Sequence, residues 1–313
     1  MQGLELCENF FREYGEPMLR EIVPELWPQI AVGLFGSGSE CYGYDDEISR
    51  DHDFEPGFMI FLPGEERIDR RTAFLLERAY AKLPGEYAGV PRSRVAPVGG
   101  NRHGVLRLPD FLLERLGTPD GNLTAEELIR LPENYLAEFT NGKLFHDGTG
   151  VLTSLRARYA QYPEDIRRKK LAGHLLLAAQ AGQYNYARCL AHGEEEGAQL
   201  AVFAYCDHMT EAVFLLNRRY RPYYKWSYRA LRACSVLAEF AEIFSFLLTT
   251  PNDSRTAREK GGIIEDTAGM LIAALQNEGL TEAVCTDLEK HAYSVNDSIE
   301  EAALRNRHIL YAV

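Results

Sequence analysis

The segment LFGSGSECYGYDDEISRDHDFEPGFMIFL, residues 34–62, constrains this chain more than any other. A short apolar run, Ile30 to Phe35, enters Gly36-Ser37-Gly38-Ser39 and reads as a buried strand. Small residues after such a strand let backbone N–H groups come close to an anion. A helix starting near Ser39 would add the partial positive charge of its first turn. Asp51-His52-Asp53 follows, immediately before a second apolar run that closes at Pro63-Gly64. Alternate residues on a strand point to one side. Asp51 and Asp53 can therefore converge on one cation, while His52 turns inward to a core hydrogen bond. Two hard carboxylates suit Mg²⁺, which keeps its other positions for water and phosphate oxygens. Taken singly, GSGS is a polar turn and DxD a common loop pattern. Together, each against an apolar run, they are what metal-assisted phosphoryl or nucleotidyl transfer needs.

The surrounding pattern alternates. A helix is expected over 4–25, a strand over Asp53 to Leu62 and a helix over 67–83. Short strands are expected at Arg94 to Val98 and Gly104 to Leu108, and helical pieces at Leu112 to Leu116 and Ala125 to Leu131. This is the signature of an α/β domain, residues 1–154. From about residue 155 strand signals vanish. Helical patterns run over 165–190, 195–219, 223–249, 257–278, 281–292 and 297–306, punctuated by Pro222 and by PNDS at 251–254. The second part, 155–313, reads as an all-α helical bundle, with the site expected in the cleft between the two.

Charge narrows the partners. Lys plus Arg is 34 against 46 Asp plus Glu, a net charge of −12 over 313 residues. That balance argues against wrapping duplex nucleic acid or docking on an anionic membrane. One segment inverts it: residues 212–238 hold no acid and six bases, Arg218, Arg219, Arg221, Lys225, Arg229 and Arg232. Arginine forks and lysine point charges both bind phosphate. Lys225 and Arg219 are therefore nucleotide-binding candidates, and Tyr220, Tyr223, Tyr224 and Trp226 could stack on a base. The run RRKK at 167–170 reads instead as a solvated helix face. Six scattered cysteines without a CxxC pair read as reduced thiols in a cytoplasmic protein. The charged N-terminus lacks the pattern of a signal peptide, and Glu239 and Glu242 interrupt the most apolar stretch, so no membrane span is expected.

The motif resembles the nucleotidyltransferase superfamily, which includes DNA polymerase beta and kanamycin nucleotidyltransferase. GSGSE at 36–40, DDEISRDHDF at 45–54, LFHDGTGVLTSLR at 144–156, YPEDI at 162–166 and FLLNRRYRPYYKW at 214–226 further resemble a bacterial nucleotidyltransferase-like family, domain of unknown function 4037. The resemblance implies a mixed-sheet nucleotidyltransferase domain followed by helices. It implies Mg²⁺, with Mn²⁺ as an alternative ion, and a nucleoside triphosphate as co-substrate. Asp51 and Asp53 would be catalytic metal ligands, and Gly36, Ser37, Gly38 and Ser39 would hold the β- and γ-phosphates. A small-molecule or protein hydroxyl would be the acceptor. In kanamycin nucleotidyltransferase-like enzymes a carboxylate of the helical part is the general base. Glu211, or Asp207 four residues before it, could serve here, although by spacing alone they are a like-charge surface pair. A homodimer is compatible with all of this.

One departure stands out. The superfamily usually draws a third carboxylate from a later strand, and neither Arg94 to Val98 nor Gly104 to Leu108 contains an acid. Asp110 and Glu114 are the nearest substitutes, with Pro109 disturbing the register. Two readings follow: an enzyme with two metal-binding acids, or a catalytically inactive nucleotide-binding or regulatory protein. A metal-dependent phosphohydrolase ranks third, since no His-Asp constellation converges. His103 beside Gly99-Gly100 reads as a loop residue and His146-Asp147 as part of a turn.

Overall fold

A four-stranded mixed sheet organises the first part of the chain. The strands are β1 (Ala31–Leu34), β2 (Met59–Leu62), β3 (Glu86–Tyr87), β4 (Val90–Pro91), β5 (Gly104–Arg107) and β6 (Lys143–Asp147). The main sheet runs β5-β2-β1-β6, and β3 and β4 form a separate ribbon. β1 is antiparallel to β2 and β6, while β2 is parallel to β5. The computed structural model describes residues 2–47, 54–92, 103–253 and 255–313. It divides into two units, Met1–Ala160 and Gln161–Val313.

β1 and β2 are buried at every position, which is why both read as unbroken apolar runs. Phe11 of the opening helical segment packs edge-on against Phe58 at 5.2 Å and stacks on Phe145 of β6 at 5.6 Å. Phe61 of β2 meets Phe35 at 5.5 Å and Phe111 at 4.9 Å. Each such ring contributes about 1.5–3 kcal/mol by leaving water. β1 and β6 approach so closely that a Cβ on Gly33 would lie 2.7 Å from the Lys143 carbonyl, beside a register shift at Val32/Gly33.

Several expected elements are shorter or interrupted. The strand expected over Asp53 to Leu62 is limited, among described residues, to Met59–Leu62, because Pro56-Gly57 precedes it and Pro offers no ladder N–H. The helix expected over 4–25 widens to a π-turn at Phe11–Gly15, where Gly15 lies against the Phe58 ring. β6 was not expected, being five residues between two turns. His146 and Asp147 belong to its end, before the turn at Gly148. His146 Nε2 bonds the Trp27 carbonyl at 2.8 Å, and Asp147 accepts from the Thr153 N–H at 2.7 Å to start the helix Val151–Arg158.

The second unit is helical. Its longest helices are Glu195–Leu216 and Thr256–Asn277. Tyr205 is fully buried, with its hydroxyl 2.8 Å from the Ile264 carbonyl and 2.7 Å from Thr267 Oγ1. The helix expected over 223–249 is two, Tyr224–Leu231 and Phe240–Thr249, separated near Leu237 at φ 59°. The pattern over 281–292 starts late, at Leu288, where the Asp287 side chain accepts from the Glu289 N–H. Of 297–306, the α-helix covers Ala302–Arg305.

The RRKK reading is overturned. Arg167, Lys169 and Lys170 are buried on the helix Glu164–Ala178. Arg167 donates to the Leu215 carbonyl and pairs with Glu164 at 2.7 Å. Lys169 donates to Asn296 Oδ1 and to the Arg305 and Arg307 carbonyls. Long aliphatic stems let these side chains cross the core, and each buried donor finds an oxygen. Among the described residues no helix is long and apolar enough to cross a membrane.

Candidate functional site

The chain leaves β1 through Phe35 and enters the glycine-serine loop. Gly36 has φ 132°, a conformation L side chains rarely adopt, so glycine is required there. Gly38 has φ −67° and ψ 146°, open to any residue. Backbone conformation therefore demands glycine at Gly36 and not at Gly38. Ser37 is exposed and Ser39 half-buried. The helix that follows is one turn, Ser39–Tyr42, ended by Gly43 at φ 68°. So short a helix supplies little of the expected dipole.

A clamp from distant sequence holds this loop. The Asn141 amide accepts from the Gly36 N–H at 2.9 Å and donates to the Gly36 carbonyl at 2.8 Å. Gly142 follows so close beneath that a Cβ would lie 2.7 Å from Phe35 Cα. Arg156 donates to the Thr140 and Asn141 carbonyls and stacks 4.5 Å over the Phe35 ring. Burial pulls the Arg156 pKa down to about 10, and its Nη1 has no partner among the described residues. Sequence reading missed Asn141, Gly142 and Arg156. The Asn-Gly pair was the available signal, but its partner lies 105 positions away.

Asp51, His52 and Asp53, with Arg94 to Val98, lie outside the described residues. Just beyond them, His103 Nδ1 meets Glu55 Oε1 at 3.2 Å, where the chain approaches β5 and β2. Asp110 is exposed in the first turn of the helix Leu108–Leu116, and Glu114 is exposed beside Arg115.

In the helical unit, Asp207 and Glu211 are not an isolated like-charge pair. Arg221 Nη1 lies 2.7 Å from Asp207 and 2.9 Å from Glu211, and its Nε donates to Ser227. Burial pulls the Arg221 pKa down, but the two carboxylates outweigh it and raise it. A carboxylate already accepting from a guanidinium is a weak base toward a hydroxyl, which counts against Glu211 in that role. His174 and His208 face each other through Nδ1 at 3.2 Å. Burial depresses both pKa values, and Arg221 adds to the effect, as does Lys170 for His174. His174 lies within 4.8 Å of a Glu211 oxygen, but the neighbouring cations oppose a metal ion there.

The acid-free segment is less bare than its sequence suggests. Arg218 pairs with Glu164 at 2.8 Å and Arg232 with Glu242 at 2.7 Å. Arg219 donates to the Ala233 carbonyl at 3.0 Å. Lys225 is exposed, its Nζ 4.9 Å from the Trp226 ring centre.

Comparison with protein families gives one region. Residues 129–227 match the family "Domain of unknown function (DUF4037)". This is the family that the sequence blocks resemble. The DUF4037 match takes in Asn141 and Arg156 of the clamp, the Arg221 network and Lys225; the GSGS loop and the DxD motif lie before it. No curated protein matches the chain. A solved structure of a nucleotidyltransferase-like protein from Exiguobacterium sibiricum 255-15 aligns at 12% identity, covering 93% of this chain and 79% of that one, with a TM-score of 0.36.

Proposed function

We propose that this protein is a Mg²⁺-dependent nucleotidyltransferase that moves a nucleoside monophosphate from a nucleoside triphosphate to a hydroxyl of a small molecule or protein. The observation that carries the reading is the loop after β1. Gly36 turns it, Asn141 clamps it, Ser37 stands exposed on it, and the DxD motif leads on toward β2, the antiparallel neighbour of β1. Backbone N–H groups of the loop, with Ser37 and Ser39, would hold the β- and γ-phosphates. Asp51 and Asp53 are the residues to hold Mg²⁺, whose charge would offset that of the phosphates. Lys225 and Arg219 would supply cations to the leaving pyrophosphate.

Calorimetry with Mg²⁺ and each nucleoside triphosphate, followed by a pyrophosphate-release assay, tests this. Tight binding with release supports the enzyme. Tight binding without release supports the second reading, a nucleotide-binding regulatory protein, which the acid-free β5 favours. Absence of binding rejects both.

A further inference from the structure

The Glu55–His103 pair is built rather than incidental. His103 precedes β5, and its ring lies against Gly57, where a Cβ would sit 2.6 Å from Cγ and Nδ1. Any side chain at position 57 would push the ring away. Gly104, at φ 108°, turns the chain directly after His103 and donates its N–H to the Phe58 carbonyl at 2.9 Å. The ring is thus placed by two glycines, and its Nδ1 is engaged by a carboxylate at 3.2 Å. Both side chains are mostly buried, 13% and 18% exposed. The other nitrogen, Nε2, is buried with no hydrogen-bond partner among the described residues. A buried polar atom left unpaired costs about 1–3 kcal/mol unless something answers it.

A carboxylate on Nδ1 selects the tautomer that carries its proton there, leaving the Nε2 lone pair free. That is the arrangement of a general base with its orienting acid. Glu55 stands two residues after Asp53, and β5 is the parallel neighbour of β2 yet contains no acid. We propose that His103 is the general base for the acceptor hydroxyl, positioned by Glu55, in place of a third carboxylate. This rests on the nucleotidyltransferase reading. The acceptor O–H gives its proton to Nε2 as the oxygen lone pair forms a bond to the α-phosphorus. The bond from that phosphorus to the bridging oxygen breaks, and pyrophosphate leaves with the electron pair. Glu55 balances the imidazolium so formed.

Two measurements on the full chain test it. Nitrogen-15 NMR of the histidines should show the His103 proton on Nδ1 in the wild type and a changed tautomer balance in Glu55→Gln. A proton on Nε2 in the wild type would overturn the proposal. In pyrophosphate release, His103→Gln should lower kcat by about 100-fold or more with KM for the triphosphate nearly unchanged, and should remove the acid limb of the pH–rate profile. Glu55→Gln should show a smaller loss of the same kind. If the wild type turns over and His103→Gln keeps its rate and profile, this inference fails and the function stands. If kcat and KM worsen together with a loss of thermal stability, His103 is structural and the inference also fails. If the wild type releases no pyrophosphate, the enzyme reading and this inference fall together.

Discussion

The charged and polar residues of the two units are used differently. In the helical unit, side chains that look available in sequence are consumed by packing: Arg167 and Lys169 cross the core to carbonyls, and Arg221 forks between two acids. In the sheet unit, buried polar side chains keep some capacity over: Arg156 Nη1 beside the clamp of the GSGS loop, and His103 Nε2 beside Glu55 and Gly57. A cation in a sequence is a supply of charge; only its hydrogen bonds show whether the fold has already used it.

The largest effect that could break this contrast is at Arg167. Arg167→Met leaves the Leu215 carbonyl without this donor and takes from Glu164 one of its three arginine partners, and should cost up to about 3 kcal/mol in urea unfolding. A loss below about 1 kcal/mol would mean that this buried arginine is not structural. Next comes the proposed metal pair, Asp51 and Asp53. Asp51→Asn should weaken Mg²⁺-triphosphate binding by about 100-fold, roughly 2.7 kcal/mol, without lowering the unfolding midpoint. Unchanged calorimetric affinity in both the Asp51→Asn and Asp53→Asn variants would remove the DxD motif from the site.

Lys225 is one of the exposed bases of the helical unit. Lys225→Ala should lower triphosphate affinity by roughly 10- to 150-fold, the worth of about 1.5–3 kcal/mol, while nucleoside affinity holds. Equal loss for both ligands would indicate a folding defect, and no loss would place Lys225 outside the site. The loop glycines give a paired test. Gly36→Ala should destabilise by about 1–2 kcal/mol through backbone strain, and Gly38→Ala by much less. Equal costs would contradict the φ assignment. The smallest effect is in acid. Burial alone would raise the Glu164 pKa, but hydrogen bonds from Arg167 and Arg218 hold it at about 2, below the ordinary 4.5. Because the folded value is depressed, its contribution is complete above pH 4.5 and is lost as pH falls toward 2. Glu164→Gln should flatten that part of the stability–pH curve, slightly, since the carboxylate is 36% exposed and solvent screens its ion pairs.

The architecture was legible where periodicity is strong. The apolar runs before GSGS and after DxD announced β1 and β2, and the long 3.6-residue patterns announced the helices. Element ends were less legible, because Pro56-Gly57 and the turn near Leu237 act locally within longer patterns. The candidate site was legible as a motif and not as a construction. Asp51 and Asp53 could be named from their spacing, but nothing in local sequence ties Asn141 to Gly36 or His103 to Glu55.

The sequence by itself supplied the motif on which the proposed chemistry rests, since a glycine-serine loop and alternating carboxylates reflect backbone freedom and side-chain period, both properties of a few adjacent residues. It also determined that a part mixing strands and helices precedes an all-helical part, through hydrophobic period. Only the tertiary structure decided which charges remain usable. Arg167 and Lys225 are both basic residues on helices, one buried and bonded, the other exposed. The difference lies in the carbonyls and carboxylates that other elements bring to them. Hydrogen bonding and desolvation act through space, over separations that no sequence window spans.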